Sequence, residues 1–190
     1  MEIQKIATRE GYGKALLELG RINKNVVVVD ADLGDSTKAE LFGKEFPERY
    51  FTMGIAEQDM IGAAAGLSVS GKIPYASTFA VFSERAFEFV RNIVARNKLN
   101  VKICGSHAGI TTGEDGKSAQ ALEDVAIYRS LPNMVVLQPC DAVEAEKMVF
   151  ALAEYNGPSY MRVHRTAYPV IHDKNYKFEM GKGEVLRQGK

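Results

Sequence analysis

Apolar and polar residues along the chain follow two alternating periods. Short runs rich in β-branched and aromatic residues, "VVVVDAD" (26–32), "RYFTM" (49–53), "IPYAST" (73–78), "NVKICGS" (100–106), "MVVLQP" (134–139) and "SYMRV" (159–163), predict strands. Between them lie longer stretches whose apolar residues recur three and four apart: "REGYGKALLELGRIN", "STKAELFGKEF", "EQDMIGAAAGLSVSG", "SERAFEFVRNIVARNK", "ALEDVAIYRSL" and "DAVEAEKMVFALAEYN". Several open on Ser, Asp or Glu, as helices do when a side chain must meet the free amides of the first turn. Strands alternating with helices predict an α/β fold, three-layer α/β/α, around a mainly parallel sheet of about six strands.

The chain has 190 residues, 46% of them hydrophobic, which is enough for one substantial core. A single domain is expected over residues 1–168. The remainder, 169–190, carries no core-sized periodic segment and reads as a linker toward a further domain. Lys plus Arg equals Asp plus Glu at 24 each, so no global charge draws the surface to nucleic acid or to an anionic membrane. The N-terminus lacks the apolar core of a secretory signal, and no stretch approaches the roughly 20 apolar residues of a spanning helix. A cytoplasmic location without membrane or nucleic-acid partners is the expectation. Cys104 and Cys140 form no metal or redox spacing, and both follow strand-like runs, so buried thiols are expected, with metal ligation as the alternative. His164 and His172 read as structural or surface residues.

Parallel sheets gather their ligands beyond the carboxyl ends of the strands, and the segments there hold the unusual residues. Glu57 stands at a strand-to-helix turn, just ahead of Gly62, Ala63, Ala64, Ala65 and Gly66. Two readings are open: a first-turn acid satisfied by the helix dipole, or an acid desolvated at a close seam and used for proton transfer. Phe79 and Phe82, three apart, are either core or the wall of a flat heteroaromatic site. "GSHAGITTGEDG" places His107, Thr111, Thr112, Glu114 and Asp115 in one glycine-rich loop, longer than a connector needs. Arg9, Ser36 and Arg165 fall near strand ends or helix starts, and arginine's fork matches phosphate. No GxGxxG follows the first strand, and "GEDG" is short and is not followed by a helix-opening GK[ST].

Taken together, "FTMGIAEQDMIGAAAGLSVSGKIPYASTFAVF" and "HAGITTGEDGKSAQALEDVAIYRSLPNMVVLQPCD" resemble the pyrimidine-binding domain of the transketolase family, and the likeness extends from "IATREGYGKAL" to "PSYMRVHR". The resemblance implies thiamine diphosphate as cofactor, with Glu57 bonding the N1′ atom of its aminopyrimidine and trading a proton there. The carbanion chemistry is then the cofactor's. It further implies Phe79 and Phe82 as the aromatic wall and Asp32 beside the cofactor. His107 and Asp115 would face the sugar hydroxyls, with Arg9, Ser36 and Arg165 around a terminal phosphate; Glu57 and His107 are the implied catalytic pair. In this family the diphosphate and its Mg2+ or another divalent cation lie on a different domain, whose GDG-plus-asparagine motif is missing here, so no metal ligand of that kind is expected from this chain. The implied assembly is a homodimer joined to a diphosphate-binding N-terminal transketolase subunit or domain, the C-terminal subunit of a split enzyme that moves a two-carbon ketol unit between sugar phosphates of the pentose phosphate pathway. Ala119 stands where the family usually has a histidine, Arg85 where many members have tyrosine and Phe89 where many have glutamine. Those departures keep two alternatives open: a component similar to 1-deoxyxylulose-5-phosphate synthase, or a noncatalytic paralogue acting as a binding or scaffold subunit.

Overall fold

A computed structural model describes residues 4–189. Its centre is β2 (Val26–Asp30), whose "VVVVD" is buried throughout, as a strand covered on both faces must be. On one side β2 pairs with β3 (Tyr50–Thr52), on the other with β4 (Ile73–Phe79); then follow β5 (Lys102–Ser106), β7 (Ser159–Arg162) and the edge strand β6 (Val135–Leu137). Every pairing in this six-stranded sheet is parallel.

Side chains of successive strand residues go to opposite faces and build two cores. Val26, Val28, Tyr75, Cys104 and Met161 pack under α1 (Thr8–Ile22), α3 (Glu40–Glu45) and α8 (Ala142–Glu154), against Tyr12, Leu16, Phe42, Met148 and Leu152. Val29, Ala76, Ile103 and Tyr160 pack on the other face against Met60, Ile61 and Ala64 of α4 (Glu57–Val69), Val90 and Val94 of the helical segment 80–95, and Tyr128 of α7 (Asp124–Arg129). Burying a side chain such as Leu16 contributes about 1.5–3 kcal/mol. Gly11 brings α1 against the start of α8, where any Cβ would collide with the Ala142 carbonyl.

Three local departures from the expected elements have physical causes. The predicted helix 36–46 is two short ones, α2 (Gly34–Thr37) and α3, broken at Lys38, which takes φ +69 where it meets Gly13 of α1. The helical stretch after β4 runs as α5 (Ala80–Ser83), a 3-10 turn, α6 (Phe87–Phe89) and a π-helical turn over Val90–Ala95, changing its hydrogen-bond pattern as it rounds the sheet. Two strands outside the pattern, β1 (Lys5–Ala7) and β8 (Ala167–Pro169), pair antiparallel beside the main sheet. Beyond them Phe178 and Met180 rest against the first core.

Candidate active site

The carboxyl ends of β2, β4 and β5 set out the site. Glu57 opens α4 and is 2% exposed. Arg85 Nη1 lies 3.6 Å from its Oε2, beyond hydrogen-bond length, so this buried acid sits beside a cation without being locked to it. Phe79 ends β4 and Phe82 follows within α5; their rings stack at 5.5 Å, only 9° from parallel. The Arg85 guanidinium lies 5.1 Å from the Phe82 ring centre. Ala31, Asp32, Leu33, Ile55, Glu57, Phe82 and Arg85 line a cavity of about 260 Å³. Asp32 is exposed at its rim with φ +61, while Phe79 stands behind Phe82, outside the lining.

His107 follows β5 and stacks on Phe79 at 3.8 Å. Its φ of +57 is unusual for a residue with a Cβ and is held by close bonds: Ser106 Oγ lies 3.0 Å from Nδ1, and Thr112 Oγ1 donates to the His107 carbonyl at 2.6 Å. Burial pushes the imidazole down to about 4, and the charges of Arg9, Arg165 and Lys38 add to the effect while Asp115 opposes it. At neutral pH His107 is an uncharged hydrogen-bonding group.

A second hollow, about 290 Å³, is lined by Arg9, Thr111, Thr112, Gly113, Glu114, Arg165 and Thr166. Arg165 is engaged by the Thr112 carbonyl at 3.0 Å, Asp115 Oδ2 at 3.1 Å and Glu114 Oε2 at 2.8 Å. Arg9 donates from Nη1 to the Ser36 carbonyl at 2.8 Å, and its buried Nε has no partner among the described residues. Ser36 thus meets Arg9 through its backbone. The structure therefore brings Glu57, Phe82 and Asp32 to one cavity and Arg9 and Arg165 to another, with Asp115 bonded to Arg165 and the Phe79–His107 stack adjoining the first.

Sequence reasoning did not assign four residues that shape this region. Arg85 pairs with Glu57 across 28 positions of chain, a contact no local pattern reveals. Ile55, 76% exposed, and Leu33 provide apolar lining. Asp30 is 1% exposed; its Oδ2 accepts the Leu33 amide at 3.1 Å, its Oδ1 has no partner among the described residues, and burial pushes the carboxyl above its usual range. An acid closing a run of four valines at a strand's carboxyl end was the available signal. One expectation is corrected: Cys104 is buried, but Cys140 is exposed, because β6 ends at Leu137 and the chain has left the sheet before reaching it. His164 is held within the fold: its amide donates to Thr8 Oγ1 at 2.7 Å and its Nδ1 lies 3.1 Å from the Ala108 carbonyl.

A buried carboxylate facing a cavity walled by an aromatic ring can hold a flat polar ring and exchange a proton with it. Comparison with known proteins points the same way. The family described as "Transketolase, pyrimidine binding domain" matches residues 4–170. A Methanocaldococcus jannaschii protein described as a transketolase C-terminal section is 52% identical over 184 residues, 95% of this chain and 58% of its own length. Human transketolase is 40% identical over 187 residues, covering 98% of this chain and 30% of its own. Among solved structures, "Split gene transketolase, inactive beta4 tetramer" superposes with a TM-score of 0.88 at 53% identity, covering 98% of this chain and 60% of that one. The chain thus spans about three-fifths of its split-type relatives and less than a third of the human enzyme.

Proposed function

Because the chain belongs to the transketolase pyrimidine-binding domain family, we propose that it supplies the pyrimidine half of a thiamine diphosphate site in a split transketolase that moves a two-carbon ketol unit between sugar phosphates. The observation that carries this reading is Glu57, 2% exposed and beyond hydrogen-bond reach of Arg85, at the cavity walled by Phe82. The residues fit the group: an acid for N1′, a planar apolar wall for the ring, Phe79 fixing that wall from behind, and Asp32 at the rim. Thiamine diphosphate supplies the carbanion chemistry when bound. Glu57 holds and releases a proton at N1′, and burial keeps competing water from it. A glutamine would fill the space without trading the proton.

His107, neutral and pinned by Ser106, faces the substrate hydroxyls as an uncharged donor or acceptor, and Asp115 joins it from the loop. Arg9 and Arg165 receive the terminal phosphate, with Ser36 holding Arg9 in place. Arg9 is the better primed of the two, since its Nε has no partner among the described residues. In this reading the diphosphate and its divalent cation fall to an N-terminal transketolase subunit or domain.

A homodimer through α4 is part of the same reading. Gly62 and Gly66 lie inside that helix where an added Cβ would meet nothing within 4 Å. Each costs a helix roughly 0.5–1 kcal/mol relative to alanine, so the domain's own packing does not account for them, and close approach by another chain does. No helix among the described residues is long and apolar enough to cross a membrane. Ala119, 7% exposed and without a polar side chain where the family usually has an imidazole, favours one second reading, a noncatalytic paralogue.

The deciding experiment mixes the chain with its diphosphate-binding subunit, thiamine diphosphate and Mg2+, and follows ketol transfer from xylulose 5-phosphate to ribose 5-phosphate, with Glu57→Gln alongside. Turnover that collapses in the variant supports the proposal. Assembly and cofactor binding with no turnover in either protein would favour the paralogue.

A further inference from the structure

Away from this site, the C-terminal segment crosses the start of α8 at a compact group of side chains. Asp141 Oδ1 caps α8 by accepting the Glu144 amide at 2.8 Å. Its Oδ2 accepts the amides of Ile171 at 2.9 Å and His172 at 2.8 Å, and lies 3.0 Å from His172 Nδ1. Cys140 Sγ stands 3.7 Å from the same nitrogen. On the far side of the ring, Nε2 lies 3.1 Å from Glu184 Oε2, and Tyr176 packs on the imidazole at 3.9 Å.

When the ring proton sits on Nε2, toward Glu184, the lone pair of Nδ1 faces Asp141 Oδ2. At 3.0 Å those two acceptors require a proton or a cation between them. The sulfur, nitrogen and oxygen atoms all lie within 4.8 Å of one another. Zinc bonds of about 2.3 Å to sulfur and about 2.0–2.2 Å to nitrogen and oxygen, at tetrahedral angles, would separate sulfur from nitrogen by about 3.5 Å and nitrogen from oxygen by about 3.3 Å. The corresponding distances here are 3.7 and 3.0 Å. Glu184 occupies the place of the carboxylate that orients a metal-binding imidazole from its other nitrogen.

We propose that Cys140 Sγ, Asp141 Oδ2 and His172 Nδ1 form a site for a zinc-class divalent cation that fastens the C-terminal segment to α8. The mixed thiol, imidazole and carboxylate set selects zinc or cobalt over calcium and magnesium, which favour oxygen shells. The exposure of Cys140 gives the ion a route in and leaves a fourth position for water.

The test is a titration of the metal-stripped protein with Co2+ and then Zn2+, alongside Cys140→Ser and His172→Gln, with the fold of each checked by circular dichroism. The proposal expects one equivalent of Co2+ to bind the parent with a thiolate-to-cobalt charge-transfer band, and that band to be lost in both variants. Zn2+ should displace the Co2+ and slow tryptic cutting at Lys174 and Lys177 in the parent alone. No band in the parent, or a band that survives Cys140→Ser, overturns it. Because Cys140 is exposed, its serine variant is expected to fold and decides the matter even if His172→Gln does not.

Discussion

Two buried charges lie toward opposite ends of the sheet and are handled differently. Lys102, 1% exposed where β5 begins, donates to the carbonyls of Tyr155 and Gly157 at 2.6 and 2.8 Å and lies 4.9 Å from the Tyr155 ring centre. Glu57, 2% exposed where α4 begins, has Arg85 at 3.6 Å and a cavity in front of it. Their burial is nearly equal, so burial does not distinguish a structural charge from a chemical one. What distinguishes them is the bonding capacity left over: Lys102 spends its protons on the chain, and Glu57 keeps an acceptor for whatever enters.

The largest expected effect breaks that contrast from the Glu57 side. Glu57→Gln in the assembled enzyme is expected to slow ketol transfer by about a hundred- to ten-thousand-fold, with an unchanged melting temperature. A variant as fast as its parent would move Glu57 into the structural class. Lys102→Met should do the reverse, costing about 1–3 kcal/mol for each carbonyl left without a donor, read from urea unfolding, while activity per folded molecule stays intact. Full stability with lost activity would invert the assignment.

His107 sharpens the comparison through pH. Its folded value near about 4 lies below the usual 6.5 or so, so between those pH values the unfolded chain binds more protons and stability falls as acid is added, by at most about 3 kcal/mol. Unfolding measured from pH 7 to pH 4 should show that slope, and His107→Gln should flatten it; an identical slope in the variant would remove His107 as its source. The smallest effect is expected in the second hollow. Arg9→Ala should raise KM for a sugar phosphate about tenfold with little change in kcat, and a loss confined to kcat would take Arg9 off the phosphate.

The strands and the two-faced core are legible because their cause is local. Four consecutive valines can hardly be anything but a doubly covered strand, and "IPYASTF" alternates residues between the two cores. What is illegible depends on partners distant in sequence. Lys38 breaks a helix because Gly13 of α1 meets it there, and "KIA" becomes a strand only because "AYP" arrives 162 residues later. The site divides the same way. Glu57 and Phe82 are marked by strand-end position and spacing, whereas the guanidinium beside that acid, and the sharing of Arg165 between Glu114 and Asp115, exist only after folding.

The pairing of β1 with β8 has an evolutionary side. By setting Lys5 opposite Pro169, it makes the domain's first and last strands neighbours, so the chain comes in and goes out through one seam. A module built that way can be spliced between two others or severed from one of them without rethreading its sheet. Gene fusion and gene fission then alter only what hangs from the seam, and the same fold can serve as about 30% of a long human polypeptide or 58% of a short archaeal one.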